Sequence, residues 1–525
     1  MLGLSCTATF LTAYTAGAYA PSAHVAAPLF AASPTAALAG ISTFCAGFAL
    51  APMALAPLSE LRGRYPVFAA GGLVYVLAQA ACGAATGLPA LLVARLLVGA
   101  GGSVFSTVVG GVVADLWGAA GRNTPMALFS GAVLAGTGAG PLVAAVIAER
   151  EGGRSGGGAW RWIFWHQVVA GGVLVLALLV LFRESRGSVL LSRKAKALNR
   201  WYDELEAAGH FGVWTEVVEA RSERSNSDAT LQTLDVAFVD LDEEKAVASS
   251  RRGSRGPGPG YRLERIRWLV LEDEERSSVG KMISISLYRP FHLLFTEPVV
   301  FFFSLWVAFA WAVLYLTFSS IFSVFGRVYD FNVEQSGRVF VAMILGSCAA
   351  TAIGVFQEYL LRHPGWQPNS TSPSNFWSTM RRRFPIDVPE SRLYFTCVTA
   401  TLLPIGLFLF GFTARPEVHW IVPTIAVGLA TMGIYSVYLA TFNYLADVYH
   451  KYASSALAAQ SFCRNVLGGV FPIVSGPMFL QLGEANSGAL LGGIGALLTL
   501  VPWVLMFFGE RIRRRSTFAM VSWPL

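Results

Sequence analysis

Two arginines lie inside long apolar stretches of this 525-residue chain, and they are the residues best placed to do chemistry. Arg95 interrupts an otherwise uncharged run from 89 to 112, and Arg464 interrupts one from 455 to 481. An arginine at the centre of a spanning helix costs about 2.5–3.5 kcal/mol on insertion scales, so such residues mark function unless they escape to an interface. Arg95 lies toward one end of its run. Snorkelling to the interface is the bland alternative there to a buried charge that tunes a substrate or proton site. Gln460, one turn before Arg464, shares its helix face. Two aromatic rows accompany the arginines. Trp311, Tyr315 and Phe318 recur at i, i+4, i+7, and Tyr435, Tyr438 and Phe442 at i, i+3, i+7, with Asn443 beside them. Such rows either pack at a lipid interface or wall a cavity for a planar or cationic amphiphile. Gly136 and Gly140 are spaced for close helix approach, and Pro141 frees a backbone carbonyl and bends its helix.

Other chemistries are excluded. The seven histidines are scattered, and none joins an acidic or cysteine cluster at one membrane face. Cys6, Cys45, Cys82, Cys348, Cys397 and Cys463 each lie in an apolar run without a CxxC pair or metal-ligand spacing, so they read as small buried hydrophobes. An enzyme, a metal site, an organic cofactor and a nucleic-acid partner are therefore not expected. No Asp or Glu is placed deep in a helix, because Glu60, Asp115, Glu358 and Asp447 fall near helix ends. His166 is the one further titratable candidate.

The elements that must position these residues are spanning helices. Hydrophobic residues make up 54% of the chain and charged residues 14%. An average soluble domain carries roughly 25% charged residues, so this composition indicates an all-α polytopic membrane protein. Twelve apolar spans are predicted at 2–20, 36–57, 66–85, 89–112, 126–148, 161–182, 298–320, 337–358, 393–413, 419–445, 455–481 and 487–508. They divide the chain into an N-terminal six-helix bundle (1–182), a central cytosolic loop (183–290), a C-terminal six-helix bundle (291–509) and a basic tail (510–525). With the N-terminus cytosolic, 31 of the 39 lysines and arginines fall on the cytosolic side, so both termini are predicted there. The first span could instead be a signal peptide, since Ala18-Tyr19-Ala20 resembles a cleavage site, but it lacks a charged leading region. In the central loop, 188–198 is predicted as an amphipathic helix on an anionic leaflet and 221–261 as a disordered linker. The sequon Asn369-Ser-Thr371 is placed in a cytosolic loop and expected to be unused.

Local motifs sharpen the picture. Pro57-Leu-Ser-Glu-Leu-Arg-Gly-Arg-Tyr-Pro66 follows the second span. The fourth carries Arg95-Leu-Leu-Val-Gly-Ala-Gly-Gly-Ser103 and ends near Asp115, and the fifth carries Gly136-Thr-Gly-Ala-Gly-Pro141. Glu184-Ser-Arg-Gly187, Pro389-Glu-Ser-Arg-Leu393 and Asn443-Tyr-Leu-Ala-Asp447 continue the series. In order and spacing these resemble the major facilitator superfamily, in its fungal drug:proton antiporter branch with twelve spans. The chain departs from that pattern at Val98, at Ala144-Ala145 and at Tyr65.

The resemblance implies the major facilitator fold. Glu60, Gly63, Arg64 and Asp115 would form a conformational latch, with Glu60 near the N-terminus of span 11 and Arg64 paired with Asp115. Gly136, Gly140 and Pro141 would form the antiporter motif, a dry helix contact that prevents leak. Arg95 and Arg464 would be buried charges. Trp311, Tyr315, Tyr435, Tyr438, Asn443 and Gln460 would contribute to a substrate cavity. The implied function is export of small organic compounds (drugs, toxins or metabolites) by a plasma-membrane monomer embedded in the lipid bilayer, with protons exchanged and the proton gradient as driving force. A facilitator or importer of a specific solute and a transporter-like nutrient sensor are the alternatives.

Overall fold

Helices as apolar as these must satisfy every backbone polar group internally, which only helices and closed barrels achieve in hydrocarbon. In the computed structural model ten helices are long and apolar enough to cross a membrane among the described residues. These exclude 119–120, 153–158, 211, 217–234, 240–260, 271–278, 367–374, 387, 450–451 and 521–525. The last of the ten, Ala453–Arg513, is 61 residues long and is broken at Gly483, whose φ of +76° is left-handed, so it contributes two spans. The helices Leu2–Gly17 and Tyr19–Leu29 meet at Ala18 and together supply the first span. Counted in this way, the described residues accommodate twelve spans.

The remaining spans lie where hydropathy places them, most with a longer end. Span 2 is Pro34–Arg62, opened by Pro34 at the first turn and by Ser33, whose hydroxyl accepts the Ala36 N–H at 3.1 Å. Span 3 is Arg64–Ala84, and span 4 comprises Leu88–Gly102 and Val104–Leu116. Span 5 is Asn123–Gly152 and span 6 Trp162–Leu181. Span 7 is Pro298–Tyr329, span 8 Val333–Arg338 and Val341–Leu361, span 9 ends in Leu402–Thr413, and span 10 is Ile421–Tyr449.

Span 6 shows where lipid sits. Val169, Val173, Leu176 and Val180 recur at i, i+4, i+7, i+11 and are each more than 60% exposed. Such a stripe is costly against water and neutral against acyl chains. The chain is a multi-pass membrane protein. Among the described spans, span 7 is the most enclosed, and Trp311, Tyr315 and Phe318 on it are all buried, so this row faces protein and not lipid.

Spans 1–6 and 7–12 meet along two seams. In one, span 5 lies against span 8, with Gly131 over Thr351, Gly138 over Met343 and Ala145 over Gly337. Thr124 bonds Glu358 at one end of this seam, and Arg150 lies 3.6 Å from Glu334 at the other. In the second, span 2 lies against span 11, where Ser42 donates to the Gly469 carbonyl at 2.6 Å.

The central segment differs from its prediction. Its helix runs from Gly187 to Ala207, well beyond 188–198. It is followed by three antiparallel strands, Val213–Glu216, Asp235–Val239 and Tyr261–Leu269, with the last in the middle. The Asn199 side chain both accepts from and donates to the backbone of Trp268 at 2.9 Å, which ties helix to sheet. One strand thus falls inside the stretch read as linker; the rest of that stretch, up to Tyr261, lies outside the described residues, as does the sequon. The boundary set at 290–291 falls inside a helix, Val279–Thr296.

Candidate functional site

The site is built at the end of the bundles that carries most of the basic residues, called here the basic end. The turn between spans 2 and 3 needs Gly63, whose φ is +101° and where a Cβ would meet a Glu184 carboxylate oxygen at 2.2 Å. Glu184 accepts backbone N–H groups from Arg64 at 2.8 Å, Tyr65 at 3.1 Å, Ser185 at 3.1 Å and Arg186 at 3.0 Å. It therefore caps span 3 and fixes the chain leaving span 6. Arg64 is buried; its Nε donates to Asp115 at 3.1 Å and its Nη1 to Ser59 at 2.7 Å. Arg186 reaches the second Asp115 oxygen at 3.2 Å.

The predicted Arg64–Asp115 pair is therefore present, but it lies wholly within the first half. Only Glu60 crosses to the second half, where the Ser454 hydroxyl lies 3.5 Å from its carboxylate at the start of span 11. Glu184 and Arg186 were missed as site residues. The signal was the Glu184-Ser-Arg-Gly187 motif itself, an acid beside a base directly after a span.

A cavity of about 380 Å³ rises from this cluster between the halves. Its mouth is set by Glu60, Arg64, Asp115, Arg122, Arg186 and the exposed Ser454, and its depth by Ser106, Asn443, Gln460, Ser461 and Arg464. Arg464 is buried, with its guanidinium 4.6 Å from the Trp311 ring centre and 5.1 Å from that of Tyr438. A desolvated stacking of this kind contributes about 2 kcal/mol. The only protein acceptor for its N–H groups among the described residues is Ser461, 3.4 Å from Nη2. The Gln460 amide is fully buried, and neither of its atoms has a partner among the described residues. Asn443 donates to Asn123 across the halves at 2.7 Å. Beyond Arg464 lies a smaller void of about 30 Å³, which Trp311 and Tyr315 line.

Among the predicted cavity residues, Gln460 and Asn443 line the main cavity, and Trp311 and Tyr438 support the arginine. Tyr435 departs from its prediction. Its hydroxyl donates to the Ala127 carbonyl at 3.1 Å, so it binds span 10 to span 5 and lines a separate crevice. His166 is also elsewhere, 2.8 Å from the Tyr14 hydroxyl inside the first half.

Known proteins resemble this chain in sequence and in fold. The family model of the Major Facilitator Superfamily matches residues 5–472. The chain belongs to this superfamily. Efflux pump radE of Floropilus chiversii is 28% identical over 93% of this chain and 75% of its own length. The citrinin biosynthesis cluster MFS transporter mrr1 of Monascus ruber is 26% identical over 98% of this chain and 86% of its own. In fold the chain resembles the Escherichia coli xylose transporter XylE in a partially occluded inward-open conformation, with a TM-score of 0.55, 13% identity, and coverage of 96% of this chain and 98% of that one. Like other superfamily members the chain is a membrane transporter of small molecules, not an enzyme.

The remaining motif residues of this superfamily member serve the first half. Arg95 does not snorkel: it is 1% exposed, donates to the Gly40 carbonyl at 3.2 Å and the Thr15 carbonyl at 3.3 Å, and stacks on Tyr19 and Phe44. It joins spans 1, 2 and 4 and does not line the main cavity. A Cβ on Gly136 would lie 2.3 Å from the Phe10 carbonyl oxygen, and one on Gly140 2.2 Å from that of Tyr14. These glycines seat span 5 on span 1, and Pro141 contacts Gly17 beside them. The contact between the halves falls instead to Gly131, Gly138 and Ala145 on other faces of the same helix.

Proposed function

We propose that this transporter exports small organic compounds from the cytosol in exchange for protons, as a plasma-membrane monomer with both termini cytosolic. The observation that carries the reading is the cavity between the halves, whose mouth lies at the basic end. Positive charge collects on cytosolic loops, so this mouth faces the cytosol. Transport follows when the two seams open in turn at either end while the halves rock about the shared cavity. The Glu60–Ser454 contact acts as the latch at the cytosolic end, and the Arg64–Asp115–Arg186 cluster keeps the first half rigid during the motion. The relatives' names, an efflux pump and a transporter of a biosynthesis cluster, support export.

Proton exchange is assigned to Glu60. It is the cavity-lining carboxylate without an arginine partner among the described residues, whereas Asp115 is held by two. One observation favours a facilitator as the second reading: both cavity carboxylates sit at the mouth, and none lies at the depth of Arg464. The two readings separate in a cell expressing the transporter and loaded with a toxic substrate. Under antiport a protonophore raises accumulation severalfold, and Glu60→Gln removes that response. A facilitator leaves accumulation unchanged by the protonophore.

A further inference from the structure

The cavity's charge is one-sided. Four arginines line it, Arg64, Arg122, Arg186 and Arg464, against two carboxylates, Glu60 and Asp115. At the mouth Asp115 offsets Arg64 and Arg186. At depth nothing offsets Arg464: among the described residues no carboxylate forms an ion pair with it, and its Nε and Nη1 have no acceptor. A guanidinium stays charged at any physiological pH. A buried charge without a partner is costly and calls for a counter-ion with hydrogen-bonding oxygens.

Two further buried donors lie beside it unpaired. Among the described residues, Gln460 lines the same cavity one turn away with its whole amide unpaired, and the Tyr438 hydroxyl, on the ring that supports the guanidinium, has no partner. Trp311 and Tyr438 brace the guanidinium, their ring centres 4.6 and 5.1 Å from its central carbon. A rigid planar fork of this kind matches a carboxylate in two places at once. Met53, Met126, Phe442 and Leu457 also line the cavity and suit a hydrophobic body. Of the planar or cationic amphiphiles that the aromatic rows by themselves admit, a cation would meet like charge here.

We propose that the transported compounds are organic acids with an apolar body, whose carboxylate binds Arg464 and Gln460 at the end of the cavity. This rests on the transport reading above and adds the substrate class to it. Arg464 recognises the charge, Gln460 donates its amide N–H to the second oxygen, and the methionines, Phe442 and Leu457 cover the carbon skeleton.

The test uses the purified full-length chain and a panel of aromatic and aliphatic skeletons, each supplied as carboxylate, primary amide and primary ammonium. Binding is read by thermal stabilisation in detergent, and transport by uptake into proteoliposomes. Carboxylates are expected to bind about tenfold or more tighter than the matched amides and ammoniums, the gain typical of hydrogen bonds to a charged group. Arg464→Gln should erase that preference, Arg464→Lys should keep part of it, and Gln460→Leu should weaken carboxylates severalfold and leave amides unchanged. The wild-type panel decides the matter even if Arg464→Gln does not fold. No preference for any carboxylate, or preference for ammoniums, overturns the proposal. Carboxylates that bind with the expected preference but are never taken up support the site and contradict transport. Amides or ammoniums that are taken up in preference to carboxylates leave transport standing and overturn the substrate class.

Discussion

Arg95→Ala is expected to abolish transport while the protein still folds and reaches the membrane. The side chain joins three helices of the first half through the Gly40 and Thr15 carbonyls and stacks between Tyr19 and Phe44. Removing it deletes a buried cation whose insertion costs about 2.5–3.5 kcal/mol, and that relief offsets the lost contacts, so the fold survives. What is lost is the fixed geometry of spans 1, 2 and 4, which must move as one body. Arg95→Lys should not restore activity, because a compact ammonium cannot lie flat between two rings while donating to two carbonyls. Proteoliposome uptake, read beside size-exclusion profiles and membrane delivery, checks both variants. Full transport by the alanine variant would remove Arg95 from the mechanism.

The second large effect is structural. A Cβ on Gly140 would lie 2.2 Å from the Tyr14 carbonyl oxygen, so Gly140→Val forces span 1 away from span 5 along its length. Backbone cannot yield as a flexible side chain does, and overpacking of this kind costs about 1–3 kcal/mol or more. Gly136→Val, opposed by the Phe10 carbonyl, should behave alike. Gly172 provides the control: a Cβ added there, on span 6, would have nothing within 4 Å, so Gly172→Val should leave the melting temperature nearly unchanged. Thermal unfolding of the detergent-solubilised variants reads the difference. A melting temperature for Gly140→Val equal to that of Gly172→Val would contradict the packing assignment.

Much of this was legible in the residues. Span positions follow from hydropathy, because the bilayer imposes one length on every helix. The pairing of Arg64 with Asp115 and the approach of Glu60 to the start of span 11 were legible through the resemblance to the superfamily's motifs and not through the charges alone. The depth of Arg464 was visible as a lone charge in an apolar run. Other features depend on contacts distant in sequence. Glu184 caps a helix more than a hundred residues earlier, and no local spacing reports that. In span 5 one glycine-rich run serves two neighbours. A period of 3.6 residues puts 136 and 140 on one stripe and 131, 138 and 145 on another, and the sequence did not say which stripe meets the other half. Tyr435 and Tyr438 are three residues apart on one face, yet the first turns to span 5 and the second to Arg464. Two of the three strands of the central segment have only four and five residues, and all three lie in polar, charged sequence, so hydropathy does not pick them out.

The central claim is that a single cavity between the halves is exposed to the two sides of the membrane in turn. Ser106 lies deep in it and also lines the smaller void beyond Arg464. Ser106→Cys is nearly isosteric and can be placed in a transport-active variant whose six native cysteines are replaced. A membrane-impermeant thiol reagent, added to right-side-out or inside-out vesicles, then reports access from each face. The account predicts labelling from the basic-end face at rest and from the opposite face when a transported compound drives turnover. Labelling from one face alone under every condition, in a variant that transports, would contradict it.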